Sequence, residues 1–379
     1  MEKMRNIMTL VVFMAVIFGL CIAFIAAPET LRSQAERRLL ARAPELSAAT
    51  VLDGAYMYTL DEYMQDQFPL REAFRRVNAV TRLALGRRDN NGYFLAEGHL
   101  SSLEFPLNAE AVHRNAMHLD AMARQLFAGL NVFYAVIPDK NYFLAEQNGF
   151  PVLDYSEMMR IVHHRMQGHT YIDLFGVLSL DDFYRTDIHW RQENLLPVAA
   201  QLAQYMGIEL PPHDGHTAHT LFSFRGSFHG PAALPIRPDE LVFLTNPYTE
   251  HAIVRALVEE HGRIDFSRYI TINGERLPLQ VYMPELFGGM DSYDVFLAGA
   301  QAIVTIEVPD ATTDRELIIL RDSFGSSIAP LLLGGYAKIT LVDIRYVATH
   351  HLPMFIEITN QDILFMYSTI ILNQPGLFR

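Results

Sequence analysis

The 379-residue chain is half hydrophobic and carries a formal net charge of −13. So acidic a chain, without a Lys/Arg-rich run, argues against nucleic acid as a partner, because phosphate binding needs a concentrated basic face. The one cysteine, Cys21, excludes an intrachain disulfide and a cysteine metal site.

The first stretch, "MEKMRNIMTLVVFMAVIFGLCIAFIAAPET", opens with Lys3 and Arg5 and then holds no charge from Ile7 to Ala27. About 21 residues at 1.5 Å each cross a hydrocarbon core of about 30 Å. A cleaved signal carries a shorter apolar core and a small-residue site. Here Ile25-Ala26-Ala27 puts Ile where a small residue is needed, and Phe18-Gly19-Leu20 before Cys21 makes a poor lipoprotein signal. Residues 1–28 therefore read as a cytoplasmic stub and transmembrane anchor in preference to a cleaved signal. Lys3 and Arg5 favour an inside N-terminus, although Arg32, Arg37, Arg38 and Arg42 dilute the bias. With no second span, the bulk of the chain is expected outside the cytoplasm.

Residues 29–105 are expected to form a membrane-proximal, mostly helical region. "LDEYMQDQFPLREAFRRVNAVTRLALG" has apolar residues at helical spacing and stops at Gly86. "NNGYFLAEGHL" predicts a turn and short hairpin.

Residues 106–379 are expected to form an α/β domain. Asn108 caps a predicted helix ending near Gly129. "NVFYAVIPDK" and "HTYIDLF" predict strands, and a helix is predicted over 192–206. Between about 211 and 299 the texture turns Pro-, Gly- and His-rich, with Asn273-Gly274 a hairpin signal, so a β-rich insertion is expected. After it "RELIIL" and "AKITLVDI" predict strands flanking a helix in "GSSIAPLLLGG"; "DILFMYSTIIL" fits a strand or a helix.

Two segments carry candidate chemistry. "TDIHW" places Asp187 two residues before His189 and next to Trp190, the chain's single tryptophan. In extended backbone, residues i and i+2 point to one side, so the carboxylate can accept from Nδ1 and leave Nε2 free. "ILRDSFGSS" places Ser323 on a strand-to-helix turn, where its hydroxyl is held up at the carboxyl edge of a sheet. A serine needs a base, and the base needs an orienting acid. Ser323, His189 and Asp187 supply all three. The Ser323 backbone N–H is one expected oxyanion donor. The bland readings are a loop Asp-x-His and a serine that caps a helix.

Other residues have a structural reading beside a functional one. Trp190 either walls the site, stacks on a sugar ring, or packs in the core. Arg345 and Tyr346, after a strand, are candidates for holding an anionic sugar. Asp139-Lys140 sits at a strand end, and Asp322 is expected to make turn hydrogen bonds. His213, His216 and His219 have a spacing that zinc accepts, but a polar loop is the preferred reading. The same holds for His163-His164 and His350-His351 as surface residues. No metal site and no cofactor are expected.

These segments together resemble the DHHW family, membrane-anchored relatives of the alginate O-acetylation proteins. "TDIHW", "ILRDSFGSSIAPLL" and "LVDIRYV" carry the resemblance, with "AERRLLARAPELS", "LDEYMQDQFPLREAF", "NGYFLAEGHL", "AVIPDKNYF" and "FSFRGSFHG" in the same order. Ile188 replaces the first His of Asp-His-His-Trp. Arg321 stands where Gly precedes Asp-Ser in the more familiar SGNH pattern, and the order of acid–base pair and serine is reversed. The resemblance implies an SGNH-hydrolase-like, three-layer α/β/α fold with a parallel central sheet, and a triad of Ser323, His189 and Asp187. It further implies O-acetylation of an exported or cell-surface polysaccharide, with acetyl groups from a separate membrane-bound O-acyltransferase. The alternatives are an acetyl esterase or deacetylase, in which water resolves the intermediate, and a non-catalytic polysaccharide-binding assembly factor.

Overall fold

The computed structural model describes residues 1–212, 215–260 and 262–376. The chain divides into two compact units. One comprises Met1–Asn91 with His229–Pro235, the other Gly92–Phe228 with Ile236–Arg379. The division therefore falls near residue 91 and not near 105. The hairpin Tyr93–Ala96/His99–Ser102 belongs to the second unit, where Phe94 stacks on Phe150 at 3.9 Å and packs with Leu144 and Ala145.

The first unit begins with helix α1, Glu2–Ala26, none of whose residues is buried. Its 25 residues are long and apolar enough to cross a membrane. Helices α2 (Ala55–Asp66) and α3 (Arg71–Ala84) follow. The sequence reads there as one amphipathic run, but Pro69 lacks an amide donor and Leu70 turns left-handed at φ +60, so two helices form. Arg71 and Arg75 converge on Glu36 at 2.6 and 3.0 Å, and Arg38 pairs with Asp66. The Arg38 guanidinium holds the Asp66 carboxyl below its ordinary range.

The second unit is built on an eight-stranded sheet. Its strands in chain order are β1 (Val132–Ile137), β2 (Thr170–Tyr171), β3 (Ile253–Glu260), β4 (Arg263–Ser267), β5 (Ile303–Glu307), β6 (Glu316–Arg321), β7 (Lys338–Val342) and β8 (Asp362–Ser368). Their spatial order is β4-β3-β5-β7-β6-β8-β1-β2. The pairings from β7 to β2 are all parallel, and those from β4 to β7 all antiparallel. The sheet is thus mixed and mostly parallel. The expected β-rich insertion donates β3 and β4 to its edge instead of standing apart.

Alternation along β1 explains the three layers. Val132, Tyr134 and Val136 pack with α4 (Ala109–Gln125) and α5 (Tyr155–Arg165). Phe133, Ala135 and Ile137 face the other way, toward α6 (Leu196–Met206) and the apolar residues of the insertion. Both faces are covered, so β6 and β8 are apolar throughout their centres. Asn108 caps α4 through Ala111 N, as the sequence predicts. The tail "DILFMYSTIIL" resolves into both alternatives, strand β8 and then a short helix over Thr369–Asn373.

Ile319, at the centre of β6, is fully buried. Ile319→Ala is expected to cost about 2–5 kcal/mol, read as a lower urea midpoint at an unchanged slope.

Candidate active site

Strand β6 ends at Arg321, and Asp322-Ser323-Phe324 turn into the helical segment Gly325–Ile328. The Asp322 carboxylate fixes that turn. One oxygen accepts from Phe324 N at 3.1 Å, the other from Ser368 N at the end of neighbouring β8 at 2.8 Å. Gly325 is required for space: a Cβ there would lie 2.7 Å from Arg321 Cβ. Ser323 is thereby held at the carboxyl edge of the parallel block. Its amide donates to no protein group among the described residues.

The segment "TDIHW" arrives from the opposite direction, 134 residues away in sequence. Asp187 is fully buried. Its Oδ1 accepts from the His189 ring Nδ1 at 2.6 Å and from the His189 amide at 2.9 Å. Its Oδ2 accepts from Ser227 N at 2.5 Å. With Nδ1 donating, Nε2 is the acceptor, and the Ser323 hydroxyl lies 2.6 Å from it. The His189 ring lies flat on Tyr293, centroids 3.8 Å apart and planes at 5°, with Phe324 at 5.0 Å. An acid, an oriented imidazole and a hydroxyl in series are what general-base activation of a serine requires.

A second buried carboxylate, Asp239, anchors the segment. It accepts from the amides of Arg185 and Thr186 and from the Thr186 hydroxyl, and pairs with the Arg185 guanidinium. Thr186 Oγ1 in turn accepts from Gly226 N at 3.0 Å. The Gly226 backbone comes so close that a Cβ there would sit 2.3 Å from Asp187 Cβ. Ser227, Asp239, Tyr293 and Ser327 were not singled out from sequence. The segment "FSFRGSFHG" does contain Gly226 and Ser227, but its spacing alone gives no hint of contact with Asp187.

Trp190 is fully buried, which corrects the expectation of a sugar-stacking face. Its indole N–H donates to Ser327 Oγ at 2.8 Å, and its ring meets Phe324 edge-on. The Tyr293 hydroxyl donates to the same Ser327 oxygen at 2.8 Å, and Ser327 donates on to Phe324 O. Trp190 therefore braces the site from behind.

Arg345 and Tyr346 make no hydrogen bond to a triad residue among the described residues, although the Arg345 charge acts on Asp322 beside Ser323. Arg345 forks onto Asp343 at 2.8 and 2.6 Å, while Tyr346 is exposed. Arg321 is fully buried, donates to Asp322 O, and burial lowers its guanidinium pKa. His213 lies outside the described residues. His216 contacts Asn246, and His219 bonds Thr245 and stacks on Phe243. Among the described residues no three His, Cys, Asp or Glu side chains group so as to hold a metal ion.

Asp139 and Lys140 are both buried. Asp139 accepts from Tyr155, Thr369 and Asn141, and burial raises its pKa. The Lys140 ammonium donates to Leu100 O and to Tyr184 O, three residues before Asp187, and sits 4.8 Å above the Phe228 ring. Burial pushes it down to about 7, against the opposing pull of Asp187.

No protein-family model and no curated protein sequence matches the chain. Solved structures do match. A DHHW family protein from Eubacterium siraeum superposes with TM-score 0.59 at 19% identity, covering 76% of this chain and 94% of that one. Bacillus cereus PatB1 carrying a sulfonyl adduct superposes with TM-score 0.57 at 14% identity, covering 75% and 97%. The DHHW resemblance carried by the motifs is thus matched by a likeness of fold.

Two outcomes test this geometry. Ser327→Ala leaves the Trp190 and Tyr293 donors without their shared acceptor and is expected to cost about 1–3 kcal/mol per orphaned group, read by urea denaturation. Lys140 gives up its proton near pH 7 when folded, but near 10.4 when unfolded. Between those values the unfolded chain binds more protons, so this residue makes stability rise with pH, and its full cost is present below about 7. The melting temperature of the native chain is expected to gain more between pH 7 and 9 than that of Lys140→Met.

Proposed function

We propose that the protein is a membrane-anchored O-acetyltransferase that modifies an exported or cell-surface polysaccharide. The observation that carries this reading is the series Asp187–His189–Ser323, closed by two contacts of 2.6 Å around a buried carboxylate. In the first half-reaction Ser323 Oγ attacks the carbonyl of an acetyl donor while His189 Nε2 takes its proton. The donor's leaving group departs with that proton, and Ser323 carries the acetyl ester. In the second, a sugar hydroxyl gives its proton to His189 and attacks the ester, releasing the acetylated sugar and restoring the Ser323 hydroxyl. Asp187 keeps the imidazole in the tautomer that accepts on Nε2. The Ser323 amide is one donor to the oxyanion of each tetrahedral intermediate.

Support for the acceptor comes from the resemblance to the DHHW family. The same resemblance suggests a membrane-bound O-acyltransferase as the source of acetyl groups. The fold likeness to PatB1 supports the chemistry in one further way. A sulfonyl adduct is what an activated hydroxyl forms with a sulfonyl reagent, and the reading assigns such a hydroxyl to Ser323. We read α1 as a retained anchor with the catalytic unit outside the cytoplasm. Two helical features support this: its length and the absence of charge from Ile7 to Ala27.

The full chain, purified in detergent, is to be offered a chromogenic acetyl ester with and without an oligosaccharide acceptor. Acetylated oligosaccharide is the expected product. Acetate released equally with and without acceptor would make the protein an esterase, and saccharide binding without either product would make it a binding factor. Ser323→Ala and His189→Ala are each expected to lower transfer by at least about 10³-fold. A sulfonyl fluoride is expected to label Ser323, seen as one sulfonylated peptide by mass spectrometry. Labelling that persists in Ser323→Ala would refute the assignment.

A further inference from the structure

Helix α3 is built inside out. Its inward side carries Arg71, Arg75, Ala79 and Arg82, and these arginines make its polar contacts with the rest of the first unit, while Phe74 meets only the edge of Phe68 at 5.6 Å among the ring contacts of the described residues. Arg71 and Arg75 bind Glu36, Arg75 also donates to the carbonyls of Gly230 and Pro231, and Arg82 reaches Asn90. Leu70, Phe74, Val77, Thr81 and Leu85, from one cap of the helix to the other, fall at successive intervals of three and four, so they share one side, turned away from the inward arginines. That side is open: Leu70 is 70% exposed, Phe74 49%, Val77 63% and Leu85 80%. A soluble helix normally does the reverse, burying its apolar stripe and wetting its charges. The preceding helix α2 also leaves Met57, Tyr58 and Met64 exposed.

Two further observations say what covers this stripe. First, α2 touches the end of the apolar α1: the rings of Phe24 and Tyr63 meet edge-on at 5.8 Å. The helix that precedes the stripe by a few residues is therefore packed on the end of the helix that is long and apolar enough to cross a bilayer. Second, residues 68–88 hold six arginines against one glutamate in a chain of net charge −13. Of these, Arg76 and Arg87 are exposed. An apolar stripe bordered by arginine is the make-up of a helix that lies in the headgroup region of an anionic membrane.

Resting on the reading of α1 as a membrane anchor, we propose that α3 lies flat in the surface of the bilayer that α1 crosses, with Leu70, Phe74, Val77 and Leu85 among the acyl chains and the exposed arginines on lipid phosphates. α1 and α3 then grip the membrane at two places, one across it and one along it. The surface so defined is a lipid surface and not a protein-docking groove.

The test uses the full chain in vesicles of phosphatidylcholine and phosphatidylglycerol, with Cys21→Ser as background. A polarity-sensitive fluorophore is placed at Val77→Cys, on the stripe, and separately at Asn78→Cys, off its centre. Lipids brominated on the acyl chain are expected to quench the probe at 77 at least about twofold more than the probe at 78. Aqueous iodide is expected to show the opposite order. Quenching at 77 by iodide but not by brominated lipid would overturn the proposal, because the stripe would face water. Protection at 77 from both quenchers would also overturn it, because a protein surface, a second copy included, would then cover the stripe. Phe74→Ser with Val77→Ser is a second check. Withdrawal of α3 from lipid to water in this double variant, with α1 still in the bilayer, should appear as iodide access to a probe at Leu85→Cys, and an unchanged probe there would overturn lipid docking.

Discussion

The carboxylate of Asp187 is fully buried, and the segment around it is arranged by the need to satisfy it. A buried carboxylate must find donors or lose its charge. Its oxygens take the ring and amide of His189 and the amide of Ser227. Those three bonds fix the imidazole plane, and the imidazole in turn meets Ser323. The loop that carries Gly226 and Ser227 is therefore part of the site. It can approach only because position 226 has no side chain. One residue earlier, Thr186 is held by Asp239 and holds the same loop, so adjacent residues grip it at two points.

The imidazole is braced from its face as well as from its edge. Tyr293 lies under it, and Trp190 stands beside Phe324 behind it. Ser327 joins the two, accepting from both and donating to the Phe324 carbonyl. Buried hydrogen-bonded networks of this kind are rigid when every member is satisfied. Here the rigidity falls on the His189 ring, which is held in one orientation. A tryptophan beside a histidine suggests a wall for a sugar when only the sequence is read. The polar tip of the indole instead turns inward to a serine 137 residues on.

What the sequence made legible was local chemistry. The Asn108 cap, the Asn273-Gly274 turn, the Pro- and Gly-bounded strands and the turn that lifts Ser323 all follow from the conformational habits of single residues. The proximity of Asp187 and His189 follows from strand geometry. What stayed hidden was everything that depends on long-range pairing. Nothing local announces that Ile253–Glu260 pairs with Ile303–Glu307 and extends the sheet as an antiparallel edge. Ser227, Asp239 and Tyr293 look like ordinary loop residues until the chain folds them around Asp187. Arg345 looked free to meet a ligand because its partner Asp343 is two residues away on the end of a strand, where an ion pair is no easier to read than an open charge. The inverted polarity of α3 was hidden for a different reason. Periodicity reveals that a helix has two faces, but not which one turns inward.

The two rims of the central sheet bear on how the folded chain avoids recruiting other chains. An open sheet offers unpaired backbone groups along its outermost strands, and such rims recruit other chains. Here one rim, Thr170–Tyr171, is only two residues long. The other, Arg263–Ser267, exposes Arg263 and Asp265 on either side of Ile264. A charge on each flank of the one exposed apolar residue discourages stacking of like strands. Short and charged rims of this kind keep one copy of the sheet from templating the next.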